Sequence, residues 1–314
     1  MLRSAPNVAD VCWVRGPRCD AHAAPDLLIE VPHGATDTED FEALAAQLQS
    51  KLPERLVDFF HANTDVGAFE LALATAEQRV AARAQSCVLI VRSRIPRTFI
   101  DCNRRIDEPP EAFRLGKVTP GLMPWITHAA DIALLRERHA GYVDLVNAAA
   151  NALAPDAGVL LLHSYAPRSV AVEVDLDIVD NLRQAYQPEI EASWPLRPEF
   201  DVIARDLEGR SHAPATVVDA LRNSLGEHGW TLGDSATYPL HPSTLAWDHV
   251  MRRPGRALCL EVRRDLLADP FDPFARMQIC STKVERIAGP LAAALAVWGV
   301  TDGRHGSKGA KPRN

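Results

Sequence analysis

The chain has 314 residues, 34 of them Lys or Arg and 41 Asp or Glu, giving a net charge of -7, and aromatic residues make up 6%. That length buries a sizeable core, as one large domain or two smaller ones. The acidic balance, with no stretch interleaving basic and aromatic residues, argues against general nucleic-acid binding, which needs a basic face. The segment Met1-Leu2-Arg3-Ser4-Ala5-Pro6 lacks the apolar core of a secretion signal, and no apolar run is long enough to span a bilayer. Six scattered cysteines, Cys12, Cys19, Cys87, Cys102, Cys259 and Cys280, form no C-x-x-C pair, which fits a reducing cytoplasm better than a disulfide framework.

In chain order, Leu27-Leu28-Ile29-Glu30-Val31 reads as a buried strand, followed by a helix near 39–50 capped by Asp37 or Thr38. Pro53 opens a short helix to about Phe60, and Asn63-Thr64-Asp65-Val66-Gly67 is turn-like before an Ala-rich helix over 68–83. Strands are predicted at 87–91 and 98–102, then an irregular Pro-containing loop over 103–124. A long helix over 127–153 leads into a strand at 158–162. Residues 165–213 are mixed, with a short helix near 175–185. A helix over 214–227, a strand at 257–262 and a helix over 281–297, capped by Ser281 or Thr282, complete the pattern. Residues 1–300 therefore read as one α/β domain, a three-layer α/β/α sandwich around a mixed, largely parallel sheet, and the Gly- and Lys-rich stretch 301–314 as a disordered tail.

His33 and His163 each sit where an aliphatic run stops, and Glu261 lies near the end of a third run. Ligands of open α/β sheets bind beyond the carboxyl ends of the strands, so these side chains can face one crevice. Two histidines and a carboxylate there suit metal-assisted hydrolysis. Asp65 can complete a His-Asp-His set or cap the helix after it, while Asp37 and Asp40 compete for the ligand role because they follow His33 closely. The run from Arg92 to Arg105, with Arg94, Arg97, Asp101, Asn103 and Arg104, borders apolar segments where an unpaired guanidinium is costly. It reads as a wall that binds a carboxylate bidentately. Glu261 can serve as general base or pair with Arg263 or Arg264, and Tyr238 and His241 can line the pocket or donate to an oxyanion.

Taken in order, Val31-Pro32-His33-Gly34, Asn63-Thr64-Asp65, Ser93-Arg94 with Phe99-Ile100-Asp101-Cys102-Asn103-Arg104, Leu162-His163-Ser164 with Arg168-Ser169, and Leu258-Cys259-Leu260-Glu261 resemble the N-formylglutamate amidohydrolase family. The resemblance implies a zinc carboxypeptidase-like fold, a zinc ion held by His33, Asp65 and His163, and Glu261 as catalytic base. It further implies that Arg94, Asn103, Arg104 and Arg168 hold the carboxylates of a small N-acyl amino acid. Gly34 and Val66 stand where the family usually has Ser and Trp, and Tyr238-Pro239-Leu240-His241-Pro242 replaces a Gly-rich stretch. A carboxypeptidase or cell-wall peptide amidase using the same metal, and a non-catalytic anion-binding module, are the competing expectations.

Overall fold

Four aliphatic runs form the centre of the molecule. In the computed structural model, which describes residues 1–107 and 119–299, β2 (Leu27–Val31), β3 (Cys87–Ser93), β4 (Gly158–Tyr165) and β7 (Ala257–Arg263) lie parallel in the order β3-β2-β4-β7. Strands buried on both faces lack polar alternation, as these do. The edges run the other way. β1 (Ala9–Arg15) pairs antiparallel with β3; β5 (Phe200–Val202) pairs antiparallel with β7 and parallel with the outermost strand, β6 (Leu232–Asp234). A separate small pair joins β8 (Ala268–Asp269) to β9 (Gln278–Ile279).

Helices cover both faces, giving the expected α/β/α layering. On one face lie α1 (Thr38–Ala45), α2 (Leu56–Asn63), α4 (Ala129–Asn151), α5 (Ile178–Ala185) and α8 (Leu245–Arg252). On the other lie α3 (Ala68–Ala82), α7 (Ala215–Gly226) and α9 (Ser281–Leu295). A short α6 (Pro188–Glu191) follows α5. Strand side chains alternate between the two faces. Leu28, Leu161 and Cys259 join the first core, while Ile29, Leu160 and Leu260 join the second. His163 and Glu261 keep the parity of Leu161 and Cys259, so both point into the first layer. Glu30, fully buried in β2, points the same way. It accepts a hydrogen bond from Tyr142 of α4 at 2.8 Å, and its Oε2 lies 2.9 Å from the His249 Nε2 of α8, contacts that link both helices to the sheet.

Several expectations change. Residues 98–102 are not a strand: Phe99 and Ile100 are buried, but the backbone turns there, with a single bridge from Ile100 to Leu122. A short apolar run has the same pattern whether it pairs in a sheet or dives into the core as a turn. The first helix stops at Ala45 rather than near 50. Asp37 and Cys280 occupy the cap positions of α1 and α9 without a side-chain cap bond. The expected tail at 301–314 and part of the predicted loop over 103–124 lie outside the described residues. Among the described residues no helix is long and apolar enough to cross a membrane.

The turn after Asp65 depends on Gly67, whose φ of +83° is in the left-handed region and whose absent Cβ would lie 2.6 Å from the Cβ of Leu267. Gly67→Ala is expected to cost about 1–3 kcal/mol, from backbone strain plus that clash. A lower urea midpoint with an unchanged slope would show it; an unaltered midpoint would contradict this account of the turn.

Candidate active site

Three loops and two strands deliver the polar residues to one end of the sheet. His33 lies two residues past β2, on a turn that passes over Arg92. The Arg92 Nε donates to the Gly34 carbonyl at 2.7 Å, and a Cβ on Gly34 would come within 2.5 Å of the Arg92 Cγ. A serine does not fit there without moving Arg92, which explains the glycine. Thr64 Oγ1 donates to the Ala35 carbonyl at 2.9 Å, fastening the end of α2 to the His33 turn. Ser164 Oγ donates to the Val66 carbonyl at 2.8 Å, fastening the same loop to β4. Asp65 is held between these ties. Gly67 takes the cap position of α3, so the Asp65 carboxylate is not spent on capping. His163 and Glu261 are register partners across the β4–β7 ladder and therefore neighbours on one face.

The resulting set is tight and buried. Asp65 Oδ2 lies 3.2 Å from His33 Nδ1 and 2.9 Å from His163 Nδ1, and the two Nδ1 atoms are 3.2 Å apart. On its other side, His33 Nε2 meets Asp101 Oδ1 at 2.7 Å. With a proton on Nε2 donated to Asp101, Nδ1 is the nitrogen left to bind a cation once it gives up any proton shared with Asp65. That is the tautomer a metal requires, set by the carboxylate behind the ring as in many metal sites. Two imidazole nitrogens converging on one carboxylate oxygen make a donor set that fits a divalent cation, and His33, Asp65 and His163 form a compact candidate ligand group. Burial opposes charge on Asp65 and Asp101. Even so, the two histidines hold Asp65 far below the usual carboxylate range, and His33, Arg97 and Arg104 do the same for Asp101.

Glu261 differs. Its Oε2 is shielded from water and has no hydrogen-bond partner among the described residues. Burial pushes its pKa up, against the pull of His163, and the nearby Asp65 adds to the rise. Neither expected arginine pairs with it: Arg263 bonds Asp265 at 2.8 Å, and Arg264 donates to the Ala62 carbonyl at 2.9 Å.

The arginine wall divides. Arg97 enters the site, donating to Asp101 Oδ2 at 2.9 Å and lying 3.8 Å from Asp65 Oδ1, with its buried Nε lacking a partner. Arg104, also buried, donates to the carbonyls of Thr119 and Asn103. Asn103 anchors the start of α8 by accepting from the Ala246 N–H at 3.1 Å. Arg94 belongs elsewhere, 2.7 Å from Asp40 and within ion-pair range of Asp37 and Asp10. Its charge is therefore matched by the protein's own acids, and Asp37 and Asp40 are likewise committed away from His33. Arg168 donates to the Trp194 carbonyl at 2.7 Å. Tyr238 accepts a hydrogen bond from Arg197 at 2.6 Å, and His241 Nδ1 lies 2.6 Å from Ser243 Oγ on a buried turn.

Sequence reasoning missed the buried Arg197 and gave two residues of this neighbourhood other partners: Asp101, which meets His33, and the buried Arg264, read only as a partner for Glu261. The acid was visible but read only as an arginine partner. The two arginines lie in a Pro-rich irregular stretch and just past a strand, where periodicity carries no information.

Asp101→Asn keeps the shape but weakens the bond that fixes the His33 tautomer. It is expected to lower metal affinity about 10–100-fold with little change in fold, read by competition with a chromogenic chelator. Parent-like affinity would remove Asp101 from the site.

A mixed α/β sheet with His-Asp-His and a shielded glutamate gathered beyond its parallel strand ends is the framework of a hydrolase-type site. The sequence profile of the N-formylglutamate amidohydrolase family matches residues 25–268. The chain belongs to the N-formylglutamate amidohydrolase family and so to a family of amidohydrolase enzymes. Its fold is similar to the crystal structure of N-formylglutamate amidohydrolase from Ralstonia eutropha JMP134, with TM-score 0.53 and 16% identity over 91% of this chain and 96% of that one. It is similar to the same degree to a gene product of Agrobacterium tumefaciens, with TM-score 0.53 and 17% identity over 92% of this chain and 94% of that one. No curated protein matches the chain.

Proposed function

We propose that the protein is a zinc-dependent amidohydrolase that cleaves the amide bond of an N-acyl amino acid of the N-formylglutamate type. The observation that carries this reading is the convergence of His33, Asp65 and His163, backed by Asp101, beside the shielded and unpartnered Glu261. When bound by those three ligands, a zinc ion supplies the Lewis acidity that activates water and polarises an amide carbonyl.

The chain's own groups do the rest. Glu261 takes the proton of the attacking water at its unpartnered Oε2 and returns it to the departing nitrogen, a cycle suited to a carboxylate whose pKa burial has raised. Arg97 holds Asp65 and Asp101 in place with two of its nitrogens and directs charge at the carbonyl oxygen as it becomes anionic. Tyr238, oriented by Arg197, and His241, on the turn beyond it, line the substrate side. Arg104 adds positive charge beside Asp101, favouring a carboxylated substrate. Six free cysteines, three of them buried, support a reducing, cytoplasmic setting.

Amine release from N-formyl-L-glutamate, other N-acyl amino acids, and peptides with free or amidated C-termini tests the reading. Cleavage concentrated on free N-acyl amino acids supports it, whereas cleavage of peptides only would replace it with the carboxypeptidase reading.

A further inference from the structure

Two buried guanidinium groups at the same end of the sheet have no acid bound to them among the described residues. Arg264 opens the turn directly after β7, so it lies just past Glu261 and is 3% exposed. Its Nη1 donates to the carbonyls of His61 at 3.4 Å and Ala62 at 2.9 Å, and its Nε is buried without a partner. Arg197 precedes β5. Because β5 runs antiparallel to β7, with Phe200 opposite Val262, the segment entering it lies at the carboxyl end of β7. Arg197 is 8% exposed and stacks against the rings of Tyr165 and Tyr238, at 4.9 and 5.3 Å from their centroids. Its hydrogen bonds go only to neutral oxygens: Ser169 Oγ, the Ala166 carbonyl and the Tyr238 hydroxyl.

Both groups act electrostatically on the site. Burial lowers the pKa of Arg264, the charge of Asp65 acts against that, and the like charges of Arg197 and Arg97 add to the lowering. Arg197 in turn pulls down the pKa of Glu261. Arg97 has Asp101 and Asp65 beside it, and Arg104 has Asp101 near. Arg197 and Arg264 feel Glu261 and Asp65 only at longer range and make no ion pair among the described residues. A buried charge without a counter-charge is costly, and a cation at the histidines would add to the positive excess. Anions that arrive with a substrate would supply that counter-charge.

We propose that Arg197 and Arg264 are the specificity-determining residues of this enzyme, each holding one carboxylate of a dicarboxylic N-acyl amino acid. The assignment rests on the amidohydrolase reading above and moves carboxylate recognition from Arg94 and Arg168 to two residues outside the arginine-rich run. An Arg fork matches a carboxylate bidentately, and a site built for that pair rejects a substrate lacking one charge.

The test compares zinc-loaded parent, Arg264→Met, Arg197→Met and the corresponding Lys variants on N-formyl-L-glutamate, its α-amide and its side-chain amide (N-formyl-L-glutamine). The parent should prefer the dicarboxylate by about 100-fold in kcat/KM over either amide. Each Met variant should lose its preference against one amide and keep it against the other, chiefly through KM, with the Lys variants between. Arg264 also supports the end of α2, but loss of that support lowers turnover of all three substrates together and leaves the ratios intact. Calorimetric binding of glutarate and of its monoamide gives a readout independent of turnover. Glutarate binding that weakens in each Met variant while no N-acyl amino acid is cleaved would sustain the arginine pair and end the hydrolase reading. Unchanged preferences in both Met variants, or glutarate affinity equal to the parent's, would overturn the pair.

Discussion

Glu261→Gln is expected to lower kcat by about 10²–10⁴-fold, the range for loss of a positioned general base, while bound metal stays at the parent level. The amide is isosteric, so the β4–β7 ladder and the packing around His163 persist. What disappears is a group able to accept a proton at a carboxylate oxygen beside His163 that is shielded and unpartnered among the described residues. Glu261 is outside the His33, Asp65 and His163 set, so metal retention separates its role from that of a ligand. Single-turnover rates with metal analysis of the same sample check this. A variant within threefold of the parent would remove Glu261 from the chemistry.

His163→Ala should abolish both metal retention and turnover. Removing one of three donors leaves His33 and Asp65, too few for a stable hydrolytic zinc site. The same loss has a thermodynamic signature. Zinc at a thousandfold its dissociation constant stabilises the folded parent by about 4 kcal/mol, so added zinc should raise the parent's melting temperature and leave the variant's unchanged. Comparing the two metal-free proteins removes the cost of truncating a buried side chain from the argument. An equal zinc-induced rise in both would exclude His163 as a ligand.

The centre of the fold was readable because β2, β4 and β7 are aliphatic runs buried on both faces, a pattern few surface segments imitate. The same feature made His33, His163 and Glu261 visible, since each ends or interrupts such a run. The edges were not readable. β1 alternates weakly and carries Asp10 and Arg15, and β5 and β6 are three residues each, too short for any period to register. α8 had a usable signal: Thr244 caps it by accepting from the Trp247 N–H, a cue passed over in a Pro-rich stretch. Charge runs proved the weakest guide. Arg94 and Arg97 look alike in sequence, yet only Arg97 enters the site, because the turn after Pro96 carries it inward while Arg94 meets Asp40. Arg197 had no sequence signal beyond its type, and its position comes from the antiparallel placement of β5 beside β7, while Arg264 was read only as a possible partner of Glu261.

Chelator stripping and zinc add-back, followed by N-formyl-L-glutamate cleavage, tests the central claim most directly. The stripped protein should be inactive, and one zinc per chain should restore cleavage in step with the metal bound. Full activity in metal-free protein would contradict the account.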